Sequence, residues 1–336
     1  MTSSGLEFST KGLQSVCPTG IDSFDDLIGG GFALTSVNII EEDQFRMYSS
    51  MLVKAYLSSA IYAEQEILIF SPIITNDKCR FIRELPSLTK DDPLQSGNGI
   101  SPAKDFTKMK IAFRYSNIPS RFDPNIEQKR FDFGQYIDTN LLNKSSIKFY
   151  DHSELIPILK EKCHEQKSDK VCRIFIDQLG SPYSSIEINQ LPRIMYQLKS
   201  IMRRLTKSVS IITIVTASDL HYDLIDDHSI RQKLYFTSDS AIRFTTFADD
   251  DESNPYRQDY VGLVQLLRLP QLNSLAPYNP NLVTIEYGIK LHQTKRFLSI
   301  EPLALPPDLG ETVNRFTSSN QAADKLHCTA TKQTDF

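Results

Sequence analysis

Glu41, Glu42 and Asp43 stand together at the end of an apolar run, Val37-Asn38-Ile39-Ile40, and open the turn Gln44-Phe45-Arg46-Met47-Tyr48. Upstream, Gly20–Gly31 reads G-I-D-S-F-D-D-L-I-G-G-G and leads into that run. A turn at the end of such a strand is where a P-loop enzyme sets its glycines, so that backbone N–H groups face a phosphate, together with a Lys for the β- and γ-phosphates. Here the turn offers three carboxylates and neither Gly nor Lys. The spacing is that of a nucleoside-triphosphate site, and the chemistry is the loss of one. The acids could hold a cation by themselves, but a solvated acidic turn, or a contact for a neighbouring subunit's arginines, fits these residue types better.

A fourth acid, Asp177, closes a second apolar run that starts at Val171. In a working ATPase of this plan the acid ending such a strand binds the Mg²⁺ that bridges the phosphates. The competing role is structural: an Asp after a buried strand satisfies backbone donors of the following turn, Gln178–Pro182. Without a phosphate cradle the structural role is the better fit. The six histidines form no ligand-spaced cluster, and no Ser or Cys stands in a nucleophile's setting. No catalytic residue and no metal set is therefore assigned.

Three groups of side chains are candidates for binding. His221, Arg231 and Lys233 follow the run Val209–Ala217 and are candidates for contact with nucleic acid, because open α/β sheets bind ligands beyond the carboxyl ends of their strands. Asp219, Asp223, Asp226 and Asp227 make that loop locally negative. Arg203 and Arg204, with Lys199 and Lys207, form a basic helix end that suits either the helix dipole or RNA. Arg114 is a strand residue paired with an acid, or a subunit contact.

These residues need a scaffold, and the chain is long enough for one large domain or two smaller ones, with 336 residues. Its 40% hydrophobic and 23% charged residues permit a sizeable core and argue against wholesale disorder. A net charge of −4 means that any nucleic-acid surface must be a local patch. Five cysteines without a C-x-x-C pair, and an N-terminus without an apolar core, point to a reducing compartment. The longest apolar run falls short of the ~20 residues of a membrane span.

Periodicity predicts helices over Met51–Tyr62, Glu154–Gln166, Leu191–Thr206 and Ser229–Phe236. Strands are expected at Glu66–Ile74, Met109–Tyr115, Ile147–Tyr150, Val171–Asp177, Val209–Ala217 and Ala241–Phe247. From Val261 onward, runs at Val261–Leu269, Leu282–Lys290 and Arg296–Ile300 read as antiparallel β. Alternation followed by a meander describes an α/β fold of RecA-like type: a mainly parallel sheet flanked by helices, C-terminal antiparallel strands, and a degenerate P-loop. Residues 1–15 are expected to be a flexible N-terminus and 16–308 the RecA-like domain, with a mobile insertion at about 86–107. A flexible tail is expected over 309–336.

Several of these segments resemble a family. G-I-D-S-F-D-D-L-I-G-G-G followed by I-I-E-E-D, Lys108–Tyr115 (K-M-K-I-A-F-R-Y) and Leu179–Pro182 look like the fourth subunit of the Elongator complex, the PAXNEB type. Asn254–Leu263, Arg268–Asn273, Leu305–Leu309 (L-P-P-D-L) and the terminal Asp335-Phe336 continue the likeness in order over most of the chain. The stretch around Asn117–Gly134 is shorter than in relatives.

The resemblance implies a non-catalytic role. Elongator modifies the wobble uridine of certain tRNAs, leading to 5-methoxycarbonylmethyl and 5-carbamoylmethyl uridine. Its fourth, fifth and sixth subunits form a hetero-hexameric RecA-like ring that binds tRNA, while the catalytic Elongator core does the chemistry. The implied setting is cytoplasmic and nuclear, with no cofactor in this chain and ATP at ring interfaces left open. Two other readings stay on the table: a RecA-like ATPase with a non-standard phosphate loop, and a regulatory adaptor in transcription or signalling.

Overall fold

The computed structural model describes residues 7–8, 15–72, 78–89, 130–164, 171–204, 209–215, 228–247, 255–269, 285–292 and 296–303. Its strands in chain order are β1 (Glu7–Phe8), β2 (Ser15–Cys17), β3 (Phe32–Ala33), β4 (Val37–Glu41), β5 (Glu66–Phe70), β6 (Pro86–Leu88), β7 (Phe131–Tyr136), β8 (Ser146–Tyr150), β9 (Cys172–Leu179), β10 (Val209–Val215), β11 (Ser240–Thr246), β12 (Gly262–Arg268), β13 (Glu286–His292) and β14 (Phe297–Pro302). The helices are α1 (Asp22–Leu27), α2 (Tyr48–Tyr62), α3 (Lys78–Arg83), α4 (Thr139–Lys144), α5 (Leu155–His164), α6 (Leu191–Arg204) and α7 (His228–Thr237).

β4 and β9 are buried at every residue, as strands must be when helices cover both faces of a parallel sheet. The main sheet runs β14-β13-β12-β11-β4-β10-β9-β5-β8. Pairing is parallel from β8 to β11 and antiparallel from β11 to β14. This is the RecA-like α/β arrangement, a parallel core with antiparallel strands added at one edge. β4 lies between β10 and β11, at the point where the chain crosses to the other side of the sheet, which is where such folds bind ligands.

Alternation along each strand divides the core between the two faces. Ile67 and Ile69 of β5 pack with α2, whereas Leu68 and Phe70 pack with α5 and α6. α6 is buried at Leu191, Met195, Leu198, Ile201 and Met202, the stripe expected of a helix lying on a sheet. α2 is buried almost all round, because β6 and α4 cover the side that β5 does not. Arg173 of β9 is wholly buried yet fully engaged. Its guanidinium donates to Gln65 Oε1 at 2.6 Å and to the Pro18 and Tyr56 carbonyls at 2.8 Å each, and lies 4.5 Å from the Tyr56 ring centroid. One cation thereby ties the glycine-rich N-terminal segment to α2 and the sheet.

The triple glycine has a backbone reason. Gly29, Gly30 and Gly31 all have positive φ, and a Cβ on Gly31 would run into the Cys17 carbonyl.

Some expected boundaries shift. β5 stops at Phe70 rather than running on to Ile74. Pro86–Leu88, counted with the insertion by composition, form β6 and pair with β7, which periodicity did not predict. Glu7–Phe8, within the expected flexible N-terminus, pair with β2. The expected strand Met109–Tyr115 and residues 90–107 lie outside the described residues. Residues 304–336, with the expected flexible tail, also lie outside the described residues.

Candidate functional site

Asp43 lies one turn before α2, buried, with both carboxylate oxygens engaged. Oδ2 accepts the Met47 N–H at 2.8 Å, and Oδ1 accepts the Ser49 N–H at 3.0 Å and the Ser49 hydroxyl at 2.8 Å. The Thr246 hydroxyl donates at 3.3 Å. The first amides of a helix have no partners within it, and their dipole favours an anion; this is how a helix N-terminus holds phosphate. Here the chain supplies the anion itself. Asp43 takes donors that a phosphate would need.

Arg46, at φ 53° in the left-handed region, turns back over this cap. Its Nε sits 2.6 Å from Glu42 as an ion pair rather than an aligned hydrogen bond, and its terminal nitrogen donates to Asp177 at 2.7 Å. Asp177 also accepts the Ser71 hydroxyl at 2.9 Å. β9 is irregular there: its pairing with β10 skips between Thr213 and Val215, and Gln178 has φ 49°. A bulge of this kind re-aims a side chain, and Asp177 meets a guanidinium where a working ATPase would hold Mg²⁺.

Glu41, the last residue of β4, pairs in register with Arg243 of β11, whose Nε donates to it at 2.9 Å. The Tyr235 hydroxyl donates to the same carboxylate and accepts from Arg243 at 3.1 Å. Burial, and then the Glu41 charge, push the Tyr235 phenol well above its usual range. Burial pulls the Arg243 guanidinium down, but the Glu41 charge together with the hydrogen bonds to Tyr235 and Glu41 outweighs this and leaves it raised.

The expectation of a solvated acidic turn is therefore corrected. Glu41, Glu42, Asp43 and Asp177 are all buried, and the arginines that meet Glu41, Glu42 and Asp177 belong to this chain. The physical reason is the depth of the site: β4 and β9 end inside the layered fold, and carboxylates left there unpaired would be very costly. Above them the loop shows solvent two apolar side chains, Phe45 at 67% exposure and Met47 at 50%. Next to Asp177, His152 is buried; its Nε2 lies 3.2 Å from the Phe70 carbonyl and its Nδ1 2.8 Å from the Ser184 hydroxyl. Burial holds its imidazole below the ordinary histidine value, against the Phe70 hydrogen bond and the pull of Asp177 and Asp151.

The structure thus gathers Glu41, Glu42, Asp43 and Asp177 around the turn in three sets of contacts, with Arg243 and Tyr235, with Arg46, and with the amides at the start of α2. Arg231 and Lys233 lie on α7, and His221 and Arg114 lie outside the described residues. Arg203 and Arg204 end α6, which leads into β10, so they sit by the amino ends of the strands and not by the site. Sequence reasoning missed Arg46, Ser49, Ser71, Tyr235 and Arg243. Arg46 and Ser49 had a signal, since they stand in the turn and at the first helical turn after it. Arg243 had none, because its partner is set by strand order across 202 residues.

The profile of the PAXNEB protein family matches residues 1–336. The chain is 27% identical to Elongator complex protein 4 of Xenopus laevis, over 95% of this chain and 86% of that protein. It is 26% identical to Elongator complex protein 4 of Homo sapiens, over 95% and 83% respectively. Among solved structures it is similar to the RadB recombinase, at 13% identity and TM-score 0.44, over 84% of this chain and 99% of that one.

Proposed function

The chain belongs to the PAXNEB protein family, and from that membership we propose that it is a non-catalytic subunit of the Elongator complex. In this reading it builds a hetero-hexameric RecA-like ring with the fifth and sixth subunits and works beside the catalytic Elongator core. The ring binds tRNA and supports modification of the wobble uridine to 5-methoxycarbonylmethyl and 5-carbamoylmethyl derivatives. Its setting is the cytoplasm and nucleus, which fluorescence of a tagged chain in living cells would test.

One observation carries the non-catalytic part. Asp43 accepts the α2 amides and Arg46 clamps Asp177, so the chain's own groups take up donors and an acid that triphosphate and Mg²⁺ would use. Four buried carboxylates against two guanidiniums also leave the site a poor host for a polyanion. The names of the relatives support membership in the complex, since each is called Elongator complex protein 4. A fold kept whole around a filled nucleotide site fits a part retained for assembly. Co-expression with the fifth and sixth subunits, followed by mass measurement of the intact assembly, tests the ring. A mass holding two copies of each subunit is expected; a lone monomer contradicts it.

A further inference from the structure

α6 and α7 lie side by side on one face of the sheet, and neither contains an Asp or Glu. Their 14 and 10 residues carry Arg193, Lys199, Arg203, Arg204, Arg231 and Lys233, in a chain whose acids outnumber its bases, 41 to 37. Lys199 is taken up inside the fold by Asp239 at 2.9 Å. Arg193, Arg203 and Arg204 are exposed, and among the described residues none of them makes an ion pair. At ~100° per residue they share an arc of about 100° with Tyr196, opposite the buried stripe, and span ~16 Å along the axis.

The helix dipole accounts for only part of this. Arg203 and Arg204 suit the C-terminal turn of α6, but Arg193 lies in its first turn, where a cation is disfavoured and an acid is expected. Single exposed aromatics are ordinary. Here each of two stands one helical turn from a cation, Tyr196 (69% exposed) after Arg193 and Phe236 (76% exposed) after Lys233. Exposed carboxylates do occur nearby, at Glu161 on α5 and Glu187 just before α6, so the positive surface has a boundary.

We propose that the outer face of α6, continued by the end of α7, binds the phosphate backbone of RNA, with Tyr196 and Phe236 as stacking platforms for unpaired bases. This rests on the tRNA-binding reading above and locates it. Cations alone would serve an acidic protein equally well. Flat aromatics beside cations are what single-stranded RNA uses, because every base has a π-face and every nucleotide a charge.

The test uses the assembled ring and a fluorescein-labelled tRNA anticodon stem–loop, with affinity measured across a salt series. Joint replacement R193A, R203A and R204A is expected to weaken binding roughly tenfold and to lower the slope of log K against log salt by about 2. Tyr196→Ala weakens binding with the slope unchanged, and Arg203→Lys restores the slope of Arg203→Ala. All these side chains are exposed, so melting temperature and ring mass stay those of the unmutated assembly. Unchanged affinity and slope in the triple variant would overturn the assignment of this face while leaving RNA binding intact. Loss of an acidic protein partner with RNA binding unchanged would overturn it too. Absence of RNA binding by the unmutated ring would remove the functional reading along with it.

Discussion

At the carboxyl ends of β4 and β9, four carboxylates are buried, three of them against Arg46 and Arg243; along the outer face of α6, three arginines stand in solvent without an ion pair among the described residues. Both regions depart from average charge patterning, and they do so in opposite senses. In the first, charge is desolvated and partly neutralised from within, which fixes loops and leaves little for a ligand. In the second, charge is solvated and unmatched, which adds little to folding and leaves much for a partner. Where a charge sits therefore separates a structural role from a binding role better than its sign does.

Substitutions should pull the regions apart in proportion to burial. Arg46→Ala strands Glu42 and Asp177 as buried carboxylates, and a loss of about 3 kcal/mol is expected in denaturant unfolding. A loss below the scatter of surface mutants would mean that the network is ornamental. Asp43→Ala removes the cap of α2 and should cost about 1–2 kcal/mol, with Asp43→Asn recovering most of it.

Next comes a pH effect. Burial lowers the His152 imidazole in the folded chain, so the folded state binds fewer protons than the unfolded one. The stability it contributes is whole above its ordinary value near 6.5 and is lost as pH falls through the lowered one. The slope of unfolding free energy with pH cannot exceed about 1.4 kcal/mol per unit from this single group. His152→Gln should flatten the slope between neutral and mildly acid pH, and an identical slope would remove the histidine from the account. Smallest of all, the α6 arginines replaced together should change stability by no more than about 0.5 kcal/mol each, even where RNA affinity falls.

Much of this was legible in the chain. β9, α6, α7 and the antiparallel C-terminal strands followed from runs of Val, Ile and Leu and from helical spacing, because burial on two faces or one leaves distinct patterns. The carboxylates of the turn were visible too, as was their mismatch with a phosphate cradle. Their burial was not. Glu41, Glu42 and Asp43 read as surface until Arg243 arrives from β11 and Arg46 folds back; the place of Arg46 in the turn is visible in the sequence, but its positive φ and the strand order are not. β7 was missed because Phe131, Asp132, Phe133 and Gly134 carry too short an alternation, and its pairing with β6 spans the long stretch between them.

The central claim is that this chain's own side chains occupy its nucleotide site. Calorimetric titration of the purified protein with Mg·ATP to millimolar concentration tests it most directly. No saturable heat is expected, and none is expected after Asp177→Ala; saturable binding that Asp177→Ala abolishes would contradict it.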